Sequence, residues 1–278
     1  MYFAIAGSSG CGKSTIINKL IEENDELIFI PSYTSREMRE GEVDGKTYKF
    51  VTKEEFKEKI KEEEFLEFEL IHDNYYGNSK KIVLDALSRN KKIIKDVDVN
   101  GVKNLDVKLK ENNCPLVKIF FIVPKGTLKK RLVLRGEKAI KKRMSRYKYE
   151  QSHQRLYDYI IVNDDGDMER TLEIVRKIIE IGDDFKKILP TQPVEKFNQR
   201  KFVRYFEQIK AGKTLKPCKV ALKDGEIYII DGHEKFVAGI VAGATVSKKF
   251  VDVKHVNKLS EDDYKKFISY MDTKIKNE

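Results

Sequence analysis

Two stretches of this chain combine residue types whose spacing permits phosphate chemistry. The first is Gly7-Ser8-Ser9-Gly10-Cys11-Gly12-Lys13-Ser14-Thr15. Glycines at 7 and 12 let the backbone fold tightly, so that successive N–H groups face a phosphate. Lys13 would bridge β- and γ-phosphates, and the Ser14 hydroxyl would bind Mg²⁺. The second stretch holds Arg36 and Arg39, three residues apart, with Tyr48 downstream. Such a pair makes a bidentate anion grip that suits a monophosphate. Glu67 follows, then Tyr75-Tyr76-Gly77-Asn78. Asp96 and Asp98 close an apolar run, where ligands of open α/β sheets gather. Their chemistry fits either a Mg²⁺ shell or a substrate contact.

These groups need elements to hold them. Tyr2–Ala6 is an apolar run ahead of the glycine loop, and Ile16, Ile17, Leu20 and Ile21 follow at helical spacing. Strand, loop and helix are the context that a phosphate loop requires. Leu27–Ile30, Ile93–Val97, Val117–Val123 and Tyr159–Val162 read as buried strands. Lys53–Glu63, Ser79–Arg89 and Met168–Ile181 read as helices between or after them. That alternation predicts an α/β domain with a parallel sheet. The pattern breaks at Gly182–Pro193, where Pro190 and Pro193 suggest a boundary. Beyond it, Phe202–Ile209 and Lys235–Val241 read as helices. Lys219–Leu222, Glu226–Ile230 and Lys249–Val253 read as strands, the first two around an Asp224-Gly225 turn.

The chain has 278 residues and a net charge of +10. Lys129–Lys148 and Lys186–Lys223 each carry nine more Lys/Arg than Asp/Glu, leaving the remainder acidic. Two places that meet phosphate would explain this, as would two solvated helix faces. Cys11, Cys114 and Cys218 are too far apart for a metal ribbon or a disulfide framework, and a reducing cytoplasm is the expectation. No apolar run approaches a membrane span, so no membrane partner is expected.

The order Arg-x-x-Arg-x-Gly-Glu-x-x-Gly-x-x-Tyr-x-Phe, after a Walker A loop and before Asn-Tyr-Tyr-Gly, resembles guanylate kinase over about residues 1–181. The resemblance implies a P-loop kinase with a lid, and transfer of the ATP γ-phosphate to GMP or dGMP, with Mg²⁺. It places Gly7, Gly10, Gly12, Lys13, Ser14, Thr15 and Asn163 at ATP, and Ser14 with Asp96 at the metal. It places Ser32, Arg36, Arg39, Tyr48, Glu67, Tyr76, Asn78 and Asp98 at the acceptor, Ser32 and Glu67 reading the guanine edge. Arg131, Arg135 and Arg143 resemble lid arginines which, with Lys13 and Arg36, would neutralise the transferring phosphate. Three departures stand out. The lid segment is a few residues short, Ser35 replaces a usual threonine, and Asn78 stands where Ser or Thr is common.

Asp224-Gly225 through Asp231-Gly232-His233-Glu234-Lys235 resembles the ParB/sulfiredoxin-like fold, a small α+β unit. It implies domains at 1–186 and 193–278. It also implies a second nucleotide or nucleic-acid site at Asp231, Gly232, His233 and Lys235, the helix start serving as anion seat. Lys235 departs from that family's Arg. The second domain is expected to fold independently and to be dispensable for phosphoryl transfer. A packed turn without ligand explains the same residues. Two rival functions remain: a protein-binding guanylate-kinase-like module without turnover, and a ParB-like DNA-binding protein.

Overall fold

The computed structural model describes residues 1–71 and 73–276; the last two residues of the expected 193–278 unit lie outside the described residues. The chain divides into two compact units, one of residues 1–6 and 13–118, the other of 7–12 and 119–278.

In the first unit, strands Leu27–Ile28, Lys92–Asp96 and Tyr2–Gly7 run parallel, in that order. The Leu27–Ile30 run is shorter as a strand than expected, ending at Ile28, although Ile30 is still buried. Helix Lys13–Glu23 buries Ile16, Ile17 and Leu20, and helix Val99–Glu111 buries Val99, Val102, Leu105 and Leu109. Both follow strand ends, as a parallel crossover demands.

The same unit holds a four-stranded sheet in the order Tyr48–Phe50, Ser32–Thr34, Asn74–Ser79, Phe65–Ile71. None of these strands was legible beforehand. One face is aromatic: Phe56, from helix Lys53–Lys61, stacks on Phe65 at 4.4 Å and on Tyr75 at 5.2 Å. Gly77 makes this layer possible, because a Cβ there would stand 2.9 Å from the Phe56 and Phe65 rings. The other face is polar. Regular alternation would put Phe65 and Glu67 on one side. The pairing instead slips between them, Phe65 opposing Ser79 and Glu67 opposing Asn78. That bulge turns Glu67 away from the aromatics and towards Asn78.

The second unit orders its strands Leu116–Ile122, Tyr159–Val162, Lys248–Phe250, Cys218–Lys223, Glu226–Asp231, Leu189–Pro190. From Ile119 onward the first of these pairs in parallel with Tyr159–Val162. Helix Met168–Ile181 buries Leu172, Ile174, Val175, Ile178 and Ile181, as its periodicity predicts. Residues 193–278 share this unit with 119–192, and Lys248 and Lys249 pair in parallel with Tyr159 and Ile160. The expected strand Lys249–Val253 thus starts one residue earlier and ends at Phe250. Lys248 is 2% exposed, its ammonium 4.0 Å from the Phe185 ring centroid and 4.8 Å from that of Tyr159. The Gly182–Pro193 stretch is structured: Leu189 and Pro190 pair with Tyr228 and Ile229. Pro190 is tolerated because this strand lies at the sheet edge. Helices Gln199–Lys210, His233–Val241 and Glu261–Lys276 complete the unit, the last unforeseen. No helix among the described residues is long and apolar enough to cross a membrane.

Candidate active site

In the first unit the cross-strand register brings together residues expected at the acceptor. Ser32 opposes Tyr48, Thr34 opposes Tyr76, and Asn78 opposes Glu67. Six residues from four strands thereby meet on one polar sheet face. At one end lies Arg36. Its guanidinium donates to both Glu42 carboxylate oxygens, at 2.8 and 2.9 Å, and to the Glu37 carbonyl at 2.6 Å. It also lies 5.4 Å from the Tyr48 ring centroid and 5.5 Å from that of Phe50. Glu42 accepts the Arg39 backbone N–H as well, at 2.8 Å, so one carboxylate organises both halves of the arginine pair. The Arg36 guanidinium holds Glu42 below its ordinary pKa. Tyr48 is pushed up to about 12, mainly by burial and then by the Asp96 charge, so it stays a neutral donor. Ser35, the residue replacing threonine, accepts the Tyr75 N–H at 2.9 Å, while Thr34 donates to the Tyr75 carbonyl at 2.9 Å. Those bonds fix the arginine loop to the strand that carries Tyr76 and Asn78.

At the other end Glu67 is 8% exposed and accepts a hydrogen bond from the Asn78 amide. The Asn78 oxygen accepts from Ser32 at 3.2 Å and from the buried Lys95 ammonium, which also donates to the Ile30 carbonyl. Burial raises the Glu67 carboxyl to about 7 against the opposing pull of Lys95 and Asn78. Burial lowers Lys95 to about 8 against the pull of Asp96 and Glu67. Asp98 caps helix Val99–Glu111, accepting the Asn100 N–H at 3.0 Å, and Asp96 ends its strand half-buried.

The glycine loop lies in the second unit up to Gly12, and Lys13 begins the next helix. Cys11 N–H donates to the Ser8 carbonyl at 3.0 Å, closing the turn. Asn163, expected beside adenine, has its amide engaged inside the protein. It donates to the Cys11 carbonyl at 2.8 Å and accepts from Thr171 at 3.0 Å. Gly12 has φ +94°, and a Cβ on it would stand 2.6 Å from the Asn163 nitrogen. Only glycine lets Asn163 brace the loop. Ser14 and Thr15 are exposed on the first turn of their helix.

The lid residues occupy helices Lys125–Leu134 and Ile140–Ser152. Arg131 pairs with Asp165 at 3.0 Å and Arg143 with Glu137 at 3.3 Å, while Arg135 caps its helix in an exposed position. Sequence reasoning assigned no role to Glu42, Lys95, Glu137, Thr171 or Asp165. Glu42 had a visible signal, lying inside the arginine motif. Lys95 had another, as a cation inside an otherwise apolar strand.

The second-domain residues are largely committed to packing. His233 is buried, its Nε2 accepting the Thr191 N–H at 3.1 Å, and burial lowers its pKa to about 4. It is therefore a neutral acceptor. Lys235 donates to the Pro217 carbonyl at 3.2 Å, and Asp231 is exposed, 3.8 Å from Lys219. Gly232 caps helix His233–Val241.

A parallel α/β sheet with a glycine phosphate loop and a separate arginine–tyrosine grip defines a P-loop phosphotransferase. A family model described as guanylate kinase matches residues 2–181, and the chain belongs to that family. The guanylate kinase of Maricaulis maris (strain MCS10) is 37% identical over 180 residues, covering 63% of this chain and 80% of its own. That of Caldanaerobacter subterraneus subsp. tengcongensis is 38% identical over 184 residues, covering 64% and 86%. The crystal structure of guanylate kinase from Anaplasma phagocytophilum superposes with a TM-score of 0.53 at 27% identity, covering 65% of this chain and 84% of that one. The chain is an ATP-dependent kinase of this type.

Proposed function

We propose that the protein phosphorylates GMP or dGMP with ATP and Mg²⁺, and that residues 193–278 form an accessory ParB/sulfiredoxin-like unit. The observation that carries the reading is the buried Glu67 carboxylate, aligned by Asn78 on the sheet face that ends in the Arg36–Tyr48 grip. A guanine edge offers N1–H and a 2-amino group to one carboxylate, whereas adenine presents an acceptor at N1. Ser32 donates to the purine oxygen. Arg36, Arg39, Tyr48 and Tyr76 take the acceptor phosphate, the Glu42 carboxylate standing in for that anion's charge at Arg36.

On the donor side Gly7, Gly10 and Gly12 line the phosphates and Lys13 bridges them. Ser14 and Asp96 supply one hydroxyl and one carboxylate to Mg²⁺. That sparse donor set fits a metal that keeps waters and shares its shell with phosphates. No group of three or more potential ligands forms a protein cage among the described residues. Arg131, Arg135 and Arg143 neutralise the transferring group, exchanging Asp165 and Glu137 for phosphate oxygens. Asn163 acts on ATP through the loop it braces.

For the accessory unit, the exposed Arg200, Lys201 and Arg204 of helix Gln199–Lys210 favour a contact with nucleic acid or a second nucleotide. They favour it more than the packed Asp231–Lys235 turn does. The test is turnover of the whole protein on GMP, dGMP, AMP, IMP and CMP.

A further inference from the structure

Lys95 is the most unusual residue of the first unit. It sits on the parallel strand Lys92–Asp96, opposite Ala4, 2% exposed. An ammonium in such a place survives only when its protons are satisfied. It donates to the Ile30 carbonyl and to the Asn78 side-chain oxygen. Neither lies on the adjoining parallel strands, so the lysine ties strand Asn74–Ser79 of the four-stranded sheet to the parallel one.

That tie decides which way the Asn78 amide faces. With its oxygen towards Lys95, its NH₂ meets Glu67. The flipped amide would set a donor against the ammonium and an oxygen against the carboxylate, losing two charge-assisted bonds at once. Lys95 also frees Ser32. The amide oxygen has two lone pairs, and Ser32 donates to one of them at 3.2 Å. Because Lys95 fills the other, the Ser32 hydroxyl can swing to a bound base without leaving that oxygen unpaired.

We infer that Lys95, acting through Asn78, is the positioning residue that holds Glu67 and Ser32 in the arrangement which recognises the 2-amino group of the acceptor base. The inference rests on the proposed GMP kinase function. It also accounts for Asn78 itself: a Ser or Thr hydroxyl is too short to span from the ammonium to the carboxylate, whereas an amide presents an acceptor to one and a donor to the other.

The test uses the full chain, with wild type, Lys95→Met, Asn78→Ser and the double variant, assayed on GMP and IMP at saturating ATP. IMP retains N1–H and the ring oxygen but lacks the 2-amino group. Lys95→Met is expected to raise the KM for GMP about tenfold, the worth of one or two charged hydrogen bonds. It is expected to cut the GMP-over-IMP preference in kcat/KM at least about fivefold, with the KM for ATP within about twofold of wild type. In the Asn78→Ser background the lysine substitution should change the preference by less than about twofold, because its effect passes through Asn78. An unchanged preference in Lys95→Met, or equal factors in both backgrounds, overturns the inference. If Lys95→Met fails to fold, Asn78→Ser alone must lower the preference about fivefold, and an unchanged value overturns it equally. A wild type that turns over neither nucleotide defeats the kinase reading and this inference together. An active wild type with an unaltered Lys95→Met preference defeats the inference alone.

Discussion

Glu67→Gln separates what the buried carboxylate does for the substrate from what it costs the fold. Burial dominates its environment and raises it from 4.5 to about 7, even with Lys95 and Asn78 favouring the charged form. The sign follows from linkage. The folded-state pKa lies above the unfolded one, so the native state holds its proton more tightly, and stability is lost as pH rises from about 4.5 to about 7. Over that window the loss is roughly 3 kcal/mol. The amide variant escapes this loss but forfeits the attraction to Lys95, so its net gain is smaller. Urea denaturation at pH 5 and pH 8 should show Glu67→Gln gaining on wild type by about 1–3 kcal/mol as pH increases. Activity moves the other way. Below pH 7 the protonated wild-type carboxyl cannot accept from both guanine donors, so kcat/KM for GMP should fall about tenfold by pH 6. Titration of the GMP phosphate contributes to both profiles, so the limb due to Glu67 is the part that Glu67→Gln lacks. The variant should also weaken GMP by about 1–3 kcal/mol and erode discrimination against AMP. Superimposable pH profiles, or a wild type that gains stability over the variant between pH 5 and 8, would refute the reasoning.

Other perturbations probe the remaining parts. Lys13→Ala should abolish turnover without changing circular dichroism; retained turnover in a folded variant would remove the phosphate loop from the chemistry. Arg39→Ala should raise the GMP KM and lower kcat, because the phosphate grip also orients the attack; a change confined to the ATP KM would misplace the grip. Truncation after Ile188 removes Lys248–Phe250 from the strand Tyr159–Val162 and uncovers buried Tyr159 and Ile160. An uncovered apolar edge should lower the melting temperature and promote aggregation in light scattering. A monomeric truncate of unchanged stability would show that residues 189–278 contribute nothing to that edge.

The donor half was largely legible because its signals are local. A Walker A pattern between an apolar run and a helix-period run requires no tertiary information, and Met168–Ile181 matched its periodicity residue for residue. The arginine motif was equally visible. The acceptor sheet was not, because its strands are only three to seven residues long and adjacent pairs such as Phe65-Leu66 and Tyr75-Tyr76 break alternation. A bulge at Leu66 sets the face of Glu67, and a bulge depends on pairing that a single strand does not encode. Lys95 read as part of an apolar run, since its partners Ile30 and Asn78 lie 65 and 17 residues away. The Gly182–Pro193 stretch looked like a linker because prolines usually punctuate; here Pro190 sits in an edge strand whose geometry accepts it.

The central claim is that Glu67, held by Asn78, makes this chain a kinase of guanine monophosphates. The most direct measurement is kcat/KM of the purified 278-residue chain, with ATP and Mg²⁺, across GMP, dGMP, AMP, IMP and CMP. A site that pairs a buried carboxylate with two base donors should favour GMP or dGMP over AMP by at least about 10⁴-fold. Comparable rates on AMP, preference for another base, or no turnover on any of the five would contradict the account.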